Sequence, residues 1–241
     1  MARSASLSTE VQQGLAGLAA RYRLTEGQTG QLHRLLAALA AQPQAPTTVR
    51  EGTAALDVHI ADSLVALELD FVSGARSIAD LGVGAGFPGM VLAIALPDST
   101  VHLVESQGRK CAFVEALAAE AGIDNAQVVR ARAEDWPDGA GAHDLITARA
   151  LGPQALVLEY AAPLMALSGR LVDWRGGRDH DGELSAMAAA EELGLRRLEV
   201  RMVEPYRAAR DLHLHVFEKV APTPARFPRR PGSARKRPLG R

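Results

Sequence analysis

Val11, Leu15, Leu18 and Tyr22 recur at helical spacing, and Leu32, Leu35, Leu36 and Leu39 repeat the pattern beyond Thr25-x-x-Gln28, a capping-box signal for a second helix. Pro43 and Pro46 break that run within 42–50, and a third helical stretch is predicted over 53–69. Near residue 75 the pattern changes. Short β-branched runs at 77–81, 101–104, 127–129, 144–147 and 171–174 alternate with helical segments at 88–96, 108–121 and 154–164. Such alternation builds βαβ units around a parallel sheet. After a helix over 182–193, Leu198-Glu-Val-Arg-Met-Val203 and Leu212-His-Leu-His-Val-Phe217 alternate with period two and predict an antiparallel hairpin. The expected fold is therefore α/β: a Rossmann-like, doubly wound sheet domain over 75–220 ending in that hairpin. A helical cap over 1–74 precedes it and a tail over 221–241 follows.

The chain has 241 residues, 47% of them hydrophobic, enough to bury a sizeable core. Its formal charge of −1 conceals a polarity, because 221–241 holds seven bases and no acid. A body of −8 thus carries a tail of +7, and a polyanionic partner stays open. Pro222, Pro224, Pro228, Pro231 and Pro238 predict an extended basic strip suited to RNA phosphate, with only Phe227 as an aromatic. The one cysteine, Cys111, excludes an internal disulfide and a Cys-based zinc cluster, and reads as a buried inert thiol. No apolar run approaches the roughly 20 residues of a membrane span. A cytoplasmic protein with no membrane role is expected.

Asp80-Leu-Gly82-Val-Gly84-Ala-Gly86-Phe-Pro-Gly89 follows the first predicted strand and opens a helix. Glycines there let the backbone turn sharply and approach a ligand, and the helix start is expected to present unpaired N–H groups. In an open α/β sheet this spot is the ligand crevice. Glu105 ends the second strand, where an acid accepts hydrogen bonds from ribose hydroxyls, and Ala133-Glu134 after the third strand falls where an adenine edge would lie. The spacing suits a dinucleotide or S-adenosylmethionine. The loop's form, its late position behind a helical cap and the terminal hairpin favour S-adenosylmethionine. The alternatives kept open are an NAD(P)-linked oxidoreductase and a noncatalytic RNA-binding ribosome-assembly factor using the tail.

The strand ending Thr147-Ala-Arg149-Ala leads to the acceptor edge, and it lacks both the Pro-Pro-aromatic turn of base-amine methylation and the Pro-Cys turn of C5-pyrimidine methylation. A ring nitrogen such as guanine N7 needs neither, because it has no proton to lose. Positioning would then dominate catalysis, with Arg149 as the leading orienting group.

Several segments together resemble the RsmG (GidB) family of bacterial 16S rRNA guanine-N7 methyltransferases. They are His59-Ile-x-Asp62-Ser63, the glycine loop, Glu105-Ser-x-x-Arg109-Lys110-x-x-Phe113, Ala148-Arg149-Ala150 and Phe227-Pro-Arg-Arg-Pro-Gly232. The resemblance implies a class I S-adenosylmethionine-dependent methyltransferase acting on the decoding-region loop of 16S rRNA or the small ribosomal subunit; separately, a monomer is expected. It implies cofactor contacts at Gly82, Phe87, Ala133, Glu134 and Arg149, with Gly84, Gly86 and Glu105 in the same pocket. His59 and Asp62 would join Arg149 in positioning the acceptor. Lys110, Arg175, Arg229, Arg230, Arg235, Lys236 and Arg237 would meet RNA. The sequence departs from the family where Ala45 to Thr48 replace an Asn-containing stretch, where Val83 replaces Thr or Ser, and where Arg175 replaces Lys. No metal is expected: His213 and His215 share one strand face but lack further clustered ligands.

Overall fold

A computed structural model of the protein describes residues 7–240. Residues 1–6 and Arg241, the last base of the tail, lie outside the described residues. Among the described residues seven strands form one sheet: β1 (Ser77–Leu81), β2 (Thr100–Glu105), β3 (Ala126–Arg130), β4 (His143–Arg149), β5 (Met165–Arg175), β6 (Leu195–Val203) and β7 (Leu212–Lys219). Their order is β3-β2-β1-β4-β5-β7-β6. The first five run parallel, and β7 pairs antiparallel with both β5 and β6. The expected hairpin is present, but β7 lies between its partner and the body of the sheet. Strand order reverses between β1 and β4, so the C-terminal ends of these two strands open the crevice in which such sheets hold ligands.

Helix Thr9–Tyr22 buries Val11 and Leu15, and helix Glu26–Ala41 starts at a complete Thr25–Gln28 capping box. Both join one apolar cluster with Ile60, Leu64, Ile78, Met90 and Val101, so the N-terminal helices share a core with one face of the sheet. Polar ties fix their seat: Gln28 Nε2 donates to the Ile94 and Ala95 carbonyls, and Arg34 Nε to Ala121. The third helical stretch is continuous from Gly52 to Glu68, but Leu56–Ala61 is a π-helical turn, one residue wider than an α turn. Apolar periodicity does not distinguish it. It carries His59 and leads into Asp62.

Helices Gln154–Ala161 and His180–Leu193 cover the opposite face, packing Leu156, Val157, Ala186 and Leu193 on Leu81, Ile146 and Leu171. The tail does not form the expected extended strip. Phe227 and Ala234 are buried in this second cluster, and one helical turn, Ser233–Lys236, fits between Pro231 and Pro238 after Gly232 takes φ 81°. Burying a side chain such as Phe227 is worth about 2 kcal/mol, enough to pin a short segment. Among the described residues no helix is long and apolar enough to cross a membrane.

Candidate functional site

The glycine loop leaves β1 through Gly82, Gly84 and Gly86 at φ 71°, 56° and 100°, a backbone that L side chains rarely adopt. A Cβ on Gly82 would also sit 2.5 Å from Leu151 Cδ1. Beneath the loop Asp80 is fully buried, its Oδ2 accepting from the Gly89 amide at 2.8 Å and its Oδ1 from the Thr147 hydroxyl at 2.9 Å. Burial raises its pKa to about 6 against those two hydrogen bonds. The amides of Met90, Val91 and Leu92 bond the Gly86 and Pro88 carbonyls. The expected row of unpaired donors at this helix start is therefore absent: the first four amides are all taken, one by a carboxylate.

Over the C-terminal ends of β1, β2 and β3 lies a cleft of about 250 Å³, lined by Gly82, Glu105, Lys110, Ala133 and Glu134, with Ala150, Leu151, Tyr160 and Arg235 among the rest of its wall. Glu105 closes β2 and is held by the Gln107 amide at 2.8 Å, with the Gly84 amide at 3.4 Å. Glu134, also buried, accepts at Oε1 from the Gly232 amide at 3.1 Å, so the tail reaches the expected adenine end. Burial and the charge of Glu134 raise the Tyr160 pKa, and Arg235 opposes them.

A second groove, also about 250 Å³, adjoins the first through Gly82, Lys110 and Ala150 and is lined further by Thr47, His59, Gly84, Phe87 and Arg149. His59 stacks on Phe87 with ring centroids 4.3 Å apart and 13° between planes. His59 Nε2 lies 2.7 Å from the Val49 carbonyl, which only accepts, so this nitrogen carries the proton. Burial lowers the His59 pKa, and its Nδ1 is left buried without a partner among the described residues. Arg149 Nη1 donates to Asp62 Oδ2 at 2.7 Å and to the Val58 carbonyl at 2.8 Å. The next residue, Ala150, takes φ 56°, a strained conformation for a non-glycine residue beside a site.

The residues expected at the cofactor thus divide. Gly82, Glu105, Ala133 and Glu134 line the first cleft, while Gly84, Phe87 and Arg149 line the second groove with His59. Gly86 lines neither and packs on Met90; Asp62 stands behind Arg149. The basic residues divide too. Lys110 borders both spaces, and Arg235 enters the first cleft. Arg229 is turned inward onto Glu159 with two hydrogen bonds of 2.5 Å, and Arg175 onto buried Asp173 at 2.7 Å and the Gly152 carbonyl at 2.8 Å. Arg230, Lys236 and Arg237 are exposed.

Sequence reasoning places neither Tyr160 nor Arg235 in the cleft. Tyr160 sits within an apolar helix that reads as core, and the useful signal for Arg235 is Phe227, a lone aromatic able to anchor a basic tail. Cys111 is buried, its thiol 3.3 Å from the Glu105 carbonyl and its pKa raised by burial. Among the described residues no three His, Cys, Asp or Glu side chains are grouped to hold a metal.

Residues 30–211 match the family GidB, rRNA small subunit methyltransferase G. The chain is 38% identical over 187 residues to the ribosomal RNA small subunit methyltransferase G of Syntrophomonas wolfei, covering 76% of this chain and 86% of that one. It is 33% identical over 196 residues to the protein of that name from Desulfitobacterium hafniense, covering 80% and 81%. Among solved structures, precorrin-6y C5,15-methyltransferase of Geobacter metallireducens shares the fold at TM-score 0.51 and 14% identity, over 74% of this chain and 92% of that one. A point mutant of MtNAS in complex with S-adenosylmethionine does so at TM-score 0.53 and 15% identity, over 89% and 80%.

Proposed function

The chain belongs to the GidB family, the rRNA small subunit methyltransferases G, and from that premise we propose that it methylates N7 of a guanine in 16S rRNA with S-adenosylmethionine as donor. The fold is that of class I methyltransferases. The observation that carries the donor assignment is the carboxylate under the glycine loop. A dinucleotide needs free helix amides for its pyrophosphate, and here Asp80 takes the first amide while backbone carbonyls take the next three. A phosphate-free cofactor tolerates that arrangement. Glu105 at the end of β2 suits a ribose diol, and Gly82, at φ 71° and with Leu151 where a Cβ would go, brings bare backbone to the same cleft.

Gly82, Glu105, Ala133 and Glu134 would hold S-adenosylmethionine, which when bound supplies an electrophilic methyl group on a sulfonium. The second groove would receive the guanine. Because N7 has no proton to lose, the protein's task there is alignment and exclusion of water. His59 fits it: a ring kept neutral by burial, locked in one orientation by Val49 and Phe87, offering a flat wall and no added positive charge. Arg149 is fixed by Asp62, so the pair would position the base rather than move a proton.

Lys110, Arg230, Lys236 and Arg237 are the basic groups we assign to RNA phosphate, in a cytoplasmic monomer acting on 16S rRNA or the small ribosomal subunit. Calorimetric titration tests the donor: the protein is expected to bind S-adenosylmethionine and not NAD, and the reverse result overturns the reading.

A further inference from the structure

The tail is the one segment whose charge points only to RNA, yet it is fastened to the body along a line that ends at the first cleft. Phe227 is buried, and Arg229 forks onto Glu159, itself 3% exposed, while its Nη2 also donates to the Arg237 carbonyl at 2.8 Å. The Gly232 amide donates to Glu134, and Ala234 packs against helix Gln154–Ala161 and its neighbours. Gly240 closes against the Ser185 backbone, where a Cβ would have no room. These ties hold the next side chain, Arg235, at the rim of the cleft beside Tyr160 and Glu134.

We propose that the C-terminal segment is the outer wall of the cofactor cleft and that Arg235 is a cofactor-binding residue at its adenine end. This rests on the methyltransferase reading above. Adenine is uncharged and offers ring-nitrogen acceptors and a π face; a planar guanidinium donates to the first and stacks on the second. The tail then has two sides. Phe227, Arg229, Gly232 and Ala234 face the body, and Arg230, Lys236 and Arg237 face solvent, free for a polyanion.

Full-length wild type, Arg235→Ala, Arg230→Ala and Glu159→Gln are titrated with S-adenosylmethionine by calorimetry, with thermal melts of the free proteins alongside. Arg235→Ala is expected to weaken binding at least fivefold with an unchanged melt, because the side chain is exposed, while Arg230→Ala binds as wild type. Glu159→Gln loosens the anchor without touching the cleft, so it is expected to weaken binding and to speed proteolysis within 221–240. An Arg235→Ala affinity for S-adenosylmethionine within twofold of wild type overturns the proposal. Wild-type protein that binds no S-adenosylmethionine overturns the methyltransferase reading itself.

Discussion

Arg149→Met keeps most of the side chain's length but removes the guanidinium from Asp62 and the Val58 carbonyl. Both partners of the ion pair are largely buried, with side-chain exposures of 18% and 11%, and Asp62 Oδ1 already has no partner among the described residues. The variant therefore leaves a buried carboxylate with neither oxygen paired. Breaking a buried pair from one side costs about 3–5 kcal/mol, and the residual exposure puts this one near the lower end. At about 3 kcal/mol the melting temperature of a chain this size falls by roughly 6–12 °C.

The loss also depends on pH. Burial raises the Asp62 pKa and Arg149 holds it down, so without Arg149 the folded-state value climbs further above the unfolded one. A group raised in this way contributes stability at low pH that is lost as pH rises through the folded value. The deficit of Arg149→Met should be larger at about pH 8 than at about pH 5, because falling pH favours the protonated, uncharged carboxyl. Urea unfolding of wild type, Arg149→Met, Asp62→Asn and the double variant at both pH values measures this. The double variant should recover about 2 kcal/mol of the single-variant losses. Equal deficits at the two pH values, or losses that simply add, would mean that Arg149 does not neutralise the Asp62 carboxylate in the fold.

The other predictions concern the loop and the second groove. Gly86→Ala forces a side chain into φ 100° and onto Met90 Cε, for a loss of about 1–3 kcal/mol from the backbone alone. Gly84→Ala, at φ 56° with only an ordinary van der Waals contact to the Gly82 carbonyl at 3.9 Å, should melt closer to wild type, and the opposite order contradicts the loop geometry. Asp80, with a folded pKa of about 6, contributes stability that is lost as pH rises through that value, so Asp80→Asn should flatten the stability curve between about pH 4 and 7. Superimposable curves would remove Asp80 from that account. His59→Phe keeps the stack on Phe87 but loses the Val49 hydrogen bond, and methyl transfer should fall at least tenfold while cofactor affinity stays within twofold. A matching fall in cofactor affinity would place His59 in the wrong space.

The sheet is legible in the sequence because its strands are short β-branched runs whose separation by helices leaves little choice but a parallel order. The insertion of β7 between β5 and β6 is not, since period-two alternation shows which face is buried and not which edge is joined. The glycine loop, Glu105 and Arg149 are legible as residue types at strand ends. Their division between two spaces is hidden, because it is set by tertiary contacts such as the stacking of His59, carried on the π turn at Leu56–Ala61, against Phe87. The tail departs from its expected form for a physical reason. Its prolines do forbid a long helix, but one turn beginning after Gly232 escapes them, and Arg229 finds its partner Glu159 on a helix 70 residues earlier in the chain. Net charge by segment identifies the basic residues and says nothing of which ones point inward.

Methyl transfer to guanine N7 in small-subunit rRNA is tested by mapping N7-methylguanine in that rRNA from cells with the protein, without it, and with Gly82→Arg in its place. One modified guanine is expected in the decoding-region loop, lost in the second and third samples. A modification that persists without the protein, or that survives Gly82→Arg, contradicts that expectation.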